Sequence, residues 1–303
     1  MKEIPCSLCG SAQRNPLVSG RDRQLPQNPR TYSLHRCTRC GMVYLSPRPD
    51  TPDELDEIYP REYAPYMREG QRLLMVLRRL ARRPEVREIL GYTHRESLIL
   101  EVGSATGEFL DDLRWAGRPH LIGLELSTEA ARVARERYGL DVRAGDLPGA
   151  GLPSGSCDLV VMRHVLEHLP DPRAALLEVA RVLRPGGRCI LTFPNVDSLS
   201  ARIFGADWYG YDIPRHTYLF PRRALALLLA ASGLQAERLI HTAAPNAWIG
   251  SVRFWLISCG RPRLAQLFRY ENPLALALFM PLGLISAAVR SSGTVRMIAR
   301  RVG

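Results

Sequence analysis

From residue 97 onward, short apolar segments alternate with longer amphipathic ones. The apolar segments SLILEVG, HLIGLELS, DVRAGDL, CDLVVMRH and GRCILTFPN have the length and composition of buried strands. The segments between them include GEFLDDLRWAG, TEAARVARERYG and AALLEVARVLRPGG, which are predicted helices, and Pro185-Gly186-Gly187 is predicted to end the last one. Strands that alternate with helices form a parallel sheet covered on both faces, so the pattern predicts a doubly wound α/β domain.

The chain before residue 94 lacks this alternation. Residues 1–50 are rich in Pro, Arg and Cys, and because they cannot build an apolar core they need a stabilising cross-link such as a metal site. Within residues 51–93 we predict an acidic helix over Pro52–Ile58 and a basic amphipathic helix over Arg68–Leu80. We therefore divide the chain into a small N-terminal module, a helical linker and an α/β domain over residues 94–303.

The cysteines predict what holds the N-terminal module together. Four of the seven form two Cys-x-x-Cys pairs, each followed by glycine, and these are Cys6, Cys9, Cys37 and Cys40. Two such pairs suit tetrahedral Zn²⁺, and a Cys₄ site is closed, so we expect zinc to be structural. Cys157, Cys189 and Cys259 lie in or near apolar segments, where we expect buried thiols.

Composition narrows the class of protein. The 303 residues are 46% hydrophobic and 23% charged, which excludes a wholly disordered chain. The net charge of +11 favours acidic partners such as nucleic acid, phosphorylated substrates or anionic membranes. The longest apolar run, Leu274–Val289, has 16 residues and contains Pro281, whereas a spanning helix needs about 20. With no signal-peptide pattern at the start, we expect a cytoplasmic protein.

Candidate binding residues follow the predicted strands. In doubly wound sheets, ligands bind beyond the carboxyl ends of the strands. The first strand ends in Glu101–Gly107, where Gly103, Ala105 and Gly107 permit a tight turn close to a ligand. The second strand ends in Glu125, an acidic residue placed to bind ribose hydroxyls. The turn lacks the full Gly-x-Gly-x-x-Gly spacing, which argues against a nicotinamide dehydrogenase.

Five ordered segments, EVGSATGEF, GLELS, AGDL, CDLVVMRHVLEHLPDP and VLRPGGRCILTFPN, resemble class I S-adenosylmethionine-dependent methyltransferases over residues 95–243. The resemblance implies a seven-stranded, mostly parallel sheet whose antiparallel last strand is supplied by Gly293–Arg301. It also implies a cofactor site in which Glu101, Gly103 and Gly107 border the methionine part, Glu125 holds the ribose, and Asp146 and Leu147 bind adenine. We add Ala105, Leu126, Arg163 and His164 to this site. The family usually has glycine in place of Ala105, and the extra methyl group narrows the site.

The N-terminal segment CTRCGMVYLSPRP, followed by Tyr59, Tyr63 and Tyr66, resembles the zinc-ribbon leaders of bacterial methyltransferases. Some proteins of that kind methylate sugars.

Methyl transfer to a hydroxyl or an acidic C–H needs a base whose pKa lies near neutrality, a role that suits histidine. Our candidate is His216 in the loop Trp208–His216, with Asp212 as its orienting partner or as a ligand of the substrate. His164 is a further catalytic candidate. For His168 two interpretations stay open: a hydrogen-bonded cap, or a divalent-ion site with Glu167, as the similar Glu-x-x-Glu-His run of quinone-pathway O-methyltransferases implies.

An apolar, basic insertion over residues 246–290 precedes the predicted last strand. It forms helices that either pack on the domain or present a surface to a lipid-like substrate or a membrane. In the second case residues 247–290 and the basic helix at 68–83 make peripheral contact with anionic headgroups.

The predicted function is methyl transfer from S-adenosylmethionine to a small-molecule or lipid-linked acceptor, sugar-like or quinone-like, with O-methylation favoured over C-methylation. The alternatives are an RNA methyltransferase, motivated by the positive charge, and a non-catalytic scaffold that keeps the cofactor fold. No RNA-binding motif is recognised, so nucleic acid is not the expected partner. The oligomeric state is left open.

Overall fold

The computed structural model describes residues 1–25, 27–49, 51–58, 72–270 and 272–303. Its strands are β1 (Arg14–Arg21), β2 (Thr31–Cys37), β3 (Val43–Leu45), β4 (Ile99–Val102), β5 (Leu121–Glu125), β6 (Asp141–Ala144), β7 (Cys157–Arg163), β8 (Leu183–Pro194), β9 (Tyr218–Leu219), β10 (Leu234–His241) and β11 (Thr294–Arg301). Its helices are α1 (Pro52–Ile58), α2 (Arg72–Tyr92), α3 (Glu108–Trp115), α4 (Thr128–Tyr138), α5 (Pro172–Val182), α6 (Leu199–Phe204), α7 (Arg222–Ala230), α8 (Asn246–Ser258), α9 (Pro262–Ala265) and α10 (Pro273–Ala288).

The larger sheet has seven strands in the order β10-β11-β8-β7-β4-β5-β6. The β4, β5, β6, β7 and β8 strands pair in parallel, whereas β11 is antiparallel to both β8 and β10. The predicted doubly wound, mostly parallel sheet with an antiparallel strand near Gly293–Arg301 is therefore confirmed.

The central strands are mainly apolar because both faces of the sheet are covered. Successive side chains of a strand point to opposite faces. One apolar cluster accordingly receives Leu100 and Val102 of β4 with Val160 and Met162 of β7. The other receives Ile99 with Leu159 and Val161. Each fully buried Val, Leu or Ile contributes about 1.5–3 kcal/mol, so this core fixes the strand ends that carry the site.

The segment that contains Pro185, Gly186 and Gly187 differs from its prediction. The α5 helix ends at Val182, and the following residues already belong to β8, in which Leu183 pairs with Cys157 across a bulge. Gly186 has a φ of 75°, so the glycine serves an irregular start of the strand rather than the cap of the helix.

The N-terminal module forms a second, four-stranded antiparallel sheet in the order β1-β2-β3-β9. Its fourth strand comes from the α/β part of the chain, since Tyr218 pairs with Tyr44 and Leu219 with Val43. The predicted boundary near residue 50 is therefore not a boundary of this sheet, which takes strands from both sides of it.

The linker contains the acidic helix as predicted, and the basic helix extends further toward the C-terminus than predicted, to Tyr92. Tyr59, Tyr63, Tyr66 and the start of the basic helix at residues 68–71 lie outside the described residues. Arg79 donates hydrogen bonds to Asp111 and Asp112, and Arg82 to Asp112 and Glu108, all on α3. These two arginines hold α2 on the domain, so their contacts favour packing of the basic helix over the alternative in which it meets lipid headgroups.

The insertion is helical, as predicted, and consists of α8, α9 and α10. Trp248 and Ile249 of α8 pack against Ala275 and Phe279 of α10. Cys157 and Cys189 are buried as expected, whereas Cys259, which follows α8, is exposed, contrary to the prediction. Within the described part of the chain, no helix is long and apolar enough to cross a bilayer.

Candidate active site

The turn between β4 and α3 depends on two glycines. Gly103 has a φ of 72°, and a Cβ atom there would lie 2.3 Å from Cγ2 of Val165. Gly107 has a φ of 80°, and its Cβ would lie 2.9 Å from Ala134 and Leu140. Only glycine tolerates both the left-handed backbone and the close approach, so the turn is held against β5, whose Leu124 carbonyl accepts from the Gly103 N–H at 2.8 Å.

The Glu125 carboxylate organises this turn from the end of the neighbouring strand. One oxygen accepts the Ala105 N–H at 2.8 Å, and the other accepts the Ser127 N–H at 2.9 Å. Ala105 has a φ of 47°, which is strained for a residue with a Cβ atom. The predicted cofactor residues Gly103, Ala105, Gly107 and Glu125 are therefore brought together at one edge of the sheet.

Glu101 lies beneath the turn and is 2% exposed. Its Oε1 lies 3.9 Å from the Arg163 guanidinium, and among the described residues its Oε2 has no hydrogen-bond partner. Burial raises the pKa of Glu101 to about 8, although the positive charge of Arg163 opposes the shift. Arg163 itself stacks 4.2 Å over the Phe109 ring and lies 3.3 Å from Glu85 of α2.

The predicted adenine end of the site lies beyond β5 and β6. Leu147 is buried, whereas the exposed Asp146 accepts the Gly149 N–H at 2.8 Å and so caps the following turn. Leu126 is 70% exposed, an unusual state for a leucine beside an ordered strand end. These residues offer an apolar wall and a carboxylate at the edge of the sheet.

A polar cluster lies at the carboxyl end of β7. His164 has a φ of 56°, and its Nδ1 lies 3.1 Å from Oε1 of Glu167. Glu167 is fully buried, and its Oε2 makes no hydrogen bond within the described part of the chain. Burial alone would raise the pKa of Glu167, but the hydrogen bond from His164 and the nearby His168 and His216 hold it below its usual value.

His216 joins this cluster from a distant loop. Its ring lies 4.8 Å from that of His168, and Glu167, His168 and His216 each offer a ligand atom within 4.8 Å of the others. The Nδ1 atoms donate to backbone carbonyls, that of His168 to Arg215 at 3.0 Å and that of His216 to Gly210 at 2.8 Å. Burial and then the charge of His216 lower the pKa of His168 to about 4. His168 is therefore neutral at physiological pH.

Asp212 takes a different partner from the one we expected. Its carboxylate accepts hydrogen bonds from Arg215 at 2.9 Å and from Gln24, while the Gly210 carbonyl fixes the His216 ring. The fully buried Arg215 guanidinium also binds both oxygens of Asp22, at 2.7 and 2.8 Å. The N-terminal module thus holds the loop through a buried ion pair.

The aromatic residues of this loop are packed rather than open. Trp208 is buried, donates to the Ser200 hydroxyl at 3.1 Å and meets Tyr211 edge-on. Tyr209 packs against Phe254 of α8 and Tyr270. The insertion therefore supports the loop from one side, as the N-terminal module does from the other.

The four predicted zinc ligands come together in the N-terminal module. The Sγ atoms of Cys6 and Cys40 lie 3.5 Å apart, as do those of Cys9 and Cys37, and all four lie within 4.8 Å. Four thiolates around tetrahedral zinc, at about 2.3 Å each, stand about 3.8 Å from one another, so this donor set fits Zn²⁺. Each knuckle is closed by its glycine N–H, which donates to the carbonyl of the first cysteine.

Two contributors to the site escaped sequence analysis. Asp22 lies in a segment with no motif, and nothing in its neighbours indicates that it pairs with Arg215. Glu85 contacts Arg163 from a helix that we had interpreted by its arginines alone. Backbone conformation does mark several site residues. The described residues include four non-glycine residues with positive φ, and Ala105, His164 and Asp212 are three of them. Such strain is concentrated at functional sites.

The residues present fit S-adenosylmethionine. The orphaned oxygen of Glu101, on the strand that leads into the glycine turn, could accept a hydrogen bond from the cofactor's ammonium group. Glu125 and the exposed Leu126 follow the next strand, where a ribose and an adenine would lie. This arrangement of fold and site defines the class of S-adenosylmethionine-dependent methyltransferase domains.

Comparison with known proteins supports the assignment to the methyltransferase class. The family described as "Methyltransferase domain" matches residues 70–239, and the chain belongs to this family. A probable S-adenosylmethionine-dependent methyltransferase of Mycolicibacterium smegmatis is 34% identical over 46% of this chain and 52% of its own. A ubiquinone biosynthesis O-methyltransferase of Xanthomonas oryzae is 30% identical over 40% of this chain and 53% of its own. The chain thus spans about half the length of these curated relatives.

Among solved structures, the chain is similar to a complex of a Haloferax volcanii methyltransferase with the activator Trm112. The TM-score is 0.51 and the identity 17%, with 76% of this chain and 92% of the other covered. At that identity the similarity shows the fold alone.

Proposed function

We propose that the protein transfers a methyl group from S-adenosylmethionine to a small-molecule or lipid-linked acceptor, sugar-like or quinone-like, with oxygen favoured over carbon. The observation that carries the proposal is the cluster of the buried Glu167 and His216 with the half-buried His168, at the same sheet edge as the glycine turn. When bound, the cofactor supplies an electrophilic methyl group on a sulfonium. The protein's own task is then to hold the acceptor in line and to remove its proton.

His216 is the proposed general base. Because a carbonyl can only accept, the hydrogen bond from Nδ1 to Gly210 places the proton of the neutral ring on Nδ1 and the lone pair on Nε2. That nitrogen takes the acceptor's hydroxyl proton as the oxygen attacks the methyl carbon and the bond from carbon to sulfur breaks. The fixed ring orientation avoids reorganisation during the step.

Glu167 and His168 set the electrostatics around this base. The ionised Glu167 carboxylate stabilises the imidazolium that His216 becomes, as the carboxylate of a catalytic triad does. His168 stays neutral, so it does not repel that new charge. The half-exposed His164, bound to Glu167 through Nδ1, is placed to contact the acceptor.

Asp212 acts as a positioning residue in this proposal. With Arg215 and Asp22 it holds the backbone of the loop that ends at His216. Structural zinc at Cys6, Cys9, Cys37 and Cys40 supports the same loop indirectly, because the module supplies Asp22.

The acceptor class is supported by the similarity to a ubiquinone biosynthesis O-methyltransferase and by the apolar surface of the insertion. A lipid-linked acceptor brings the enzyme to a membrane, and we place that peripheral contact on residues 247–290. Arg79 and Arg82 of the segment 68–83 do not support it, since they pair with α3.

The acceptor is tested by incubating the purified protein with methyl-labelled S-adenosylmethionine and a lysate of its native host. We expect label in the organic-extractable or the small aqueous fraction. Label in RNA would contradict the proposed acceptor class. Absence of label together with absent binding of S-adenosylhomocysteine would favour a scaffold.

The base is tested by His216→Gln, with the exposed His120→Gln as a matched control. We expect about a hundredfold or greater loss of kcat with unchanged affinity for S-adenosylhomocysteine. A His216→Gln enzyme that keeps the wild-type rate would exclude His216 as the base.

A further inference from the structure

The α10 helix shows an apolar face to solvent. Its inner face, formed by Ala275, Phe279, Gly283 and Ser286, is buried against the domain. The outer face carries no charged or polar side chain, and its large exposed residues are Leu274, Leu278, Met280, Leu282, Leu284, Ile285 and, just beyond the helix, Val289. Leu274 is 78% and Leu278 66% exposed. An apolar patch of this kind marks an interaction surface.

The charged residues of the insertion are mainly positive. Between residues 246 and 292 the sequence has five arginines and a single acidic residue, Glu271; the arginines are Arg253, Arg261, Arg263, Arg269 and Arg290. An apolar face flanked by arginines complements an anionic surface that has an apolar interior. A second copy of this chain fits poorly, because a symmetric contact brings like charges together.

A cationic cavity opens at the C-terminal end of the same helix. It has a volume of about 500 Å³, and its lining includes Arg222, Arg238, Arg290 and His241, together with Ala287 and Ala288 of α10. Within the described chain, Arg222 and Arg290 form no ion pair. The cavity's one acidic side chain, Glu237, is already held by Arg188 and Arg300. Two arginine charges thus face the cavity without a counter-charge.

The backbone at Arg290 is strained. Its φ is 54°, and it is the fourth non-glycine residue with positive φ among those described, the other three being site candidates. A left-handed conformation costs an L-residue about 1–2 kcal/mol, and such strain is concentrated at ligand-binding positions.

We propose that this cavity binds the phosphate of an anionic lipid headgroup while the outer face of α10 lies in the bilayer surface. A helix of 16 residues is about 24 Å long, which suits lying in the interface and is too short to span it. Arg222 and Arg290 supply the charge-assisted hydrogen bonds that recognise phosphate oxygens. This inference deepens the membrane contact within the proposed function, and it does not depend on methyl transfer.

The test is co-sedimentation of the full-length protein with lipid vesicles, without cofactor. One set contains phosphatidylcholine alone and the other includes a minority fraction of phosphatidylglycerol. We expect binding only to the anionic vesicles, weakened by salt. Equal binding to both sets would overturn the proposal.

The decisive variant is Arg222→Gln/Arg290→Gln. It should bind anionic vesicles roughly tenfold or more weakly, whereas Arg95→Gln/Arg173→Gln, with the same loss of charge elsewhere on the surface, should lose much less. Leu278→Gln/Ile285→Gln tests the apolar face separately and should also weaken binding. If the two double arginine variants lose the same amount of vesicle binding, net charge alone would explain the loss. That result would overturn the proposal that the cavity binds a lipid headgroup.

Two further measurements distinguish the other occupants. Inorganic phosphate that binds the wild type, with no vesicle binding, would assign the cavity to a soluble phosphorylated ligand and overturn the lipid assignment. A dimer in sedimentation velocity that Leu278→Gln/Ile285→Gln dissociates would assign the face to a second copy. Retained binding of S-adenosylhomocysteine shows that each variant is folded, and it keeps this test separate from failure of the proposed methyl transfer.

Discussion

The two halves of the site are built differently. The proposed cofactor half, from Glu101 to Gly107 with Glu125, is formed by backbone turns within two neighbouring βα units and is held by short-range contacts. The proposed acceptor half joins Glu167 and His168 to His216, and its loop is held by Asp22 from the N-terminal module. The first half depends on glycine conformations, and the second on buried charges.

This difference teaches where each half is vulnerable. A glycine turn fails when a side chain is added, and the damage stays local. A buried ion pair fails when one partner is removed, because the other charge stays in a low-dielectric environment. The two halves should therefore respond to different substitutions, and the following four changes test this.

The largest effect is expected for Asp22→Ala. It leaves the fully buried Arg215 with a single carboxylate and removes the acceptor of the Gln24 and Leu25 N–H groups, so the free energy of unfolding should fall by about 3–5 kcal/mol. Denaturant unfolding measures this. Glu129→Ala breaks the solvent-exposed pair with Arg132 and should have a much smaller effect. A similar small loss for both would refute the importance of the buried pair.

The next effect is the pH dependence of stability caused by Glu101. Its folded pKa of about 8 lies above its ordinary value of 4.5, so between these values the folded state keeps a proton that the unfolded state releases. The stability that the protonated Glu101 contributes is fully present below about pH 4.5. It falls as pH rises through this window and no longer changes above about pH 8. Between pH 5 and 8 the loss should be on the order of 3–4 kcal/mol, since each pH unit within the window corresponds to about 1.4 kcal/mol.

The measurement compares unfolding free energies of the cofactor-free wild type and Glu101→Gln from pH 5 to about 8. The wild type should lose stability relative to the variant over this range, and the exposed Glu96→Gln should follow the wild type. Parallel curves for wild type and Glu101→Gln would show that the carboxyl titrates normally.

Gly103→Ala should weaken cofactor binding. The new Cβ would lie 2.3 Å from Val165 in a left-handed backbone, so S-adenosylhomocysteine affinity should fall by about 2 kcal/mol or more, roughly thirtyfold. Gly117→Ala provides a matched control, since that glycine has a φ of 85° with no heavy atom within 4 Å of the added Cβ. Calorimetry would distinguish the clash from backbone strain, and similar affinities for the two variants would refute the clash.

The smallest effect is expected for Ala105→Gly. It relieves a positive φ but makes the unfolded chain more flexible, so stability should change by less than about 1 kcal/mol. Affinity for S-adenosylhomocysteine should stay equal or rise. A loss of affinity would show that the alanine methyl group contacts the cofactor rather than narrowing its site.

The cofactor half was predictable because its residues are contiguous and each strand ends where the apolar pattern ends. The glycine turn, Glu125 and the order of the strands followed from that pattern and from the family resemblance. The predictions failed where long-range contacts decide. Asp22 and Arg215 are 193 positions apart, and β8 begins with residues that looked like a helix cap. The pairing of Arg79 and Arg82 with α3 was likewise not predicted from the sequence.

The pairing of β9 with β3 has a consequence for how the molecule unfolds. The two residues Tyr218 and Leu219 follow directly on the loop of His216 and complete the sheet of the zinc module. A chain cut at residue 51 would lose the neighbour of that strand and the carboxylate of Asp22 together. The module and the methyltransferase domain are therefore joined by a shared sheet and a buried ion pair. If zinc holds the four cysteines, its chelation should destabilise the loop that carries His216 before it disturbs the glycine turn.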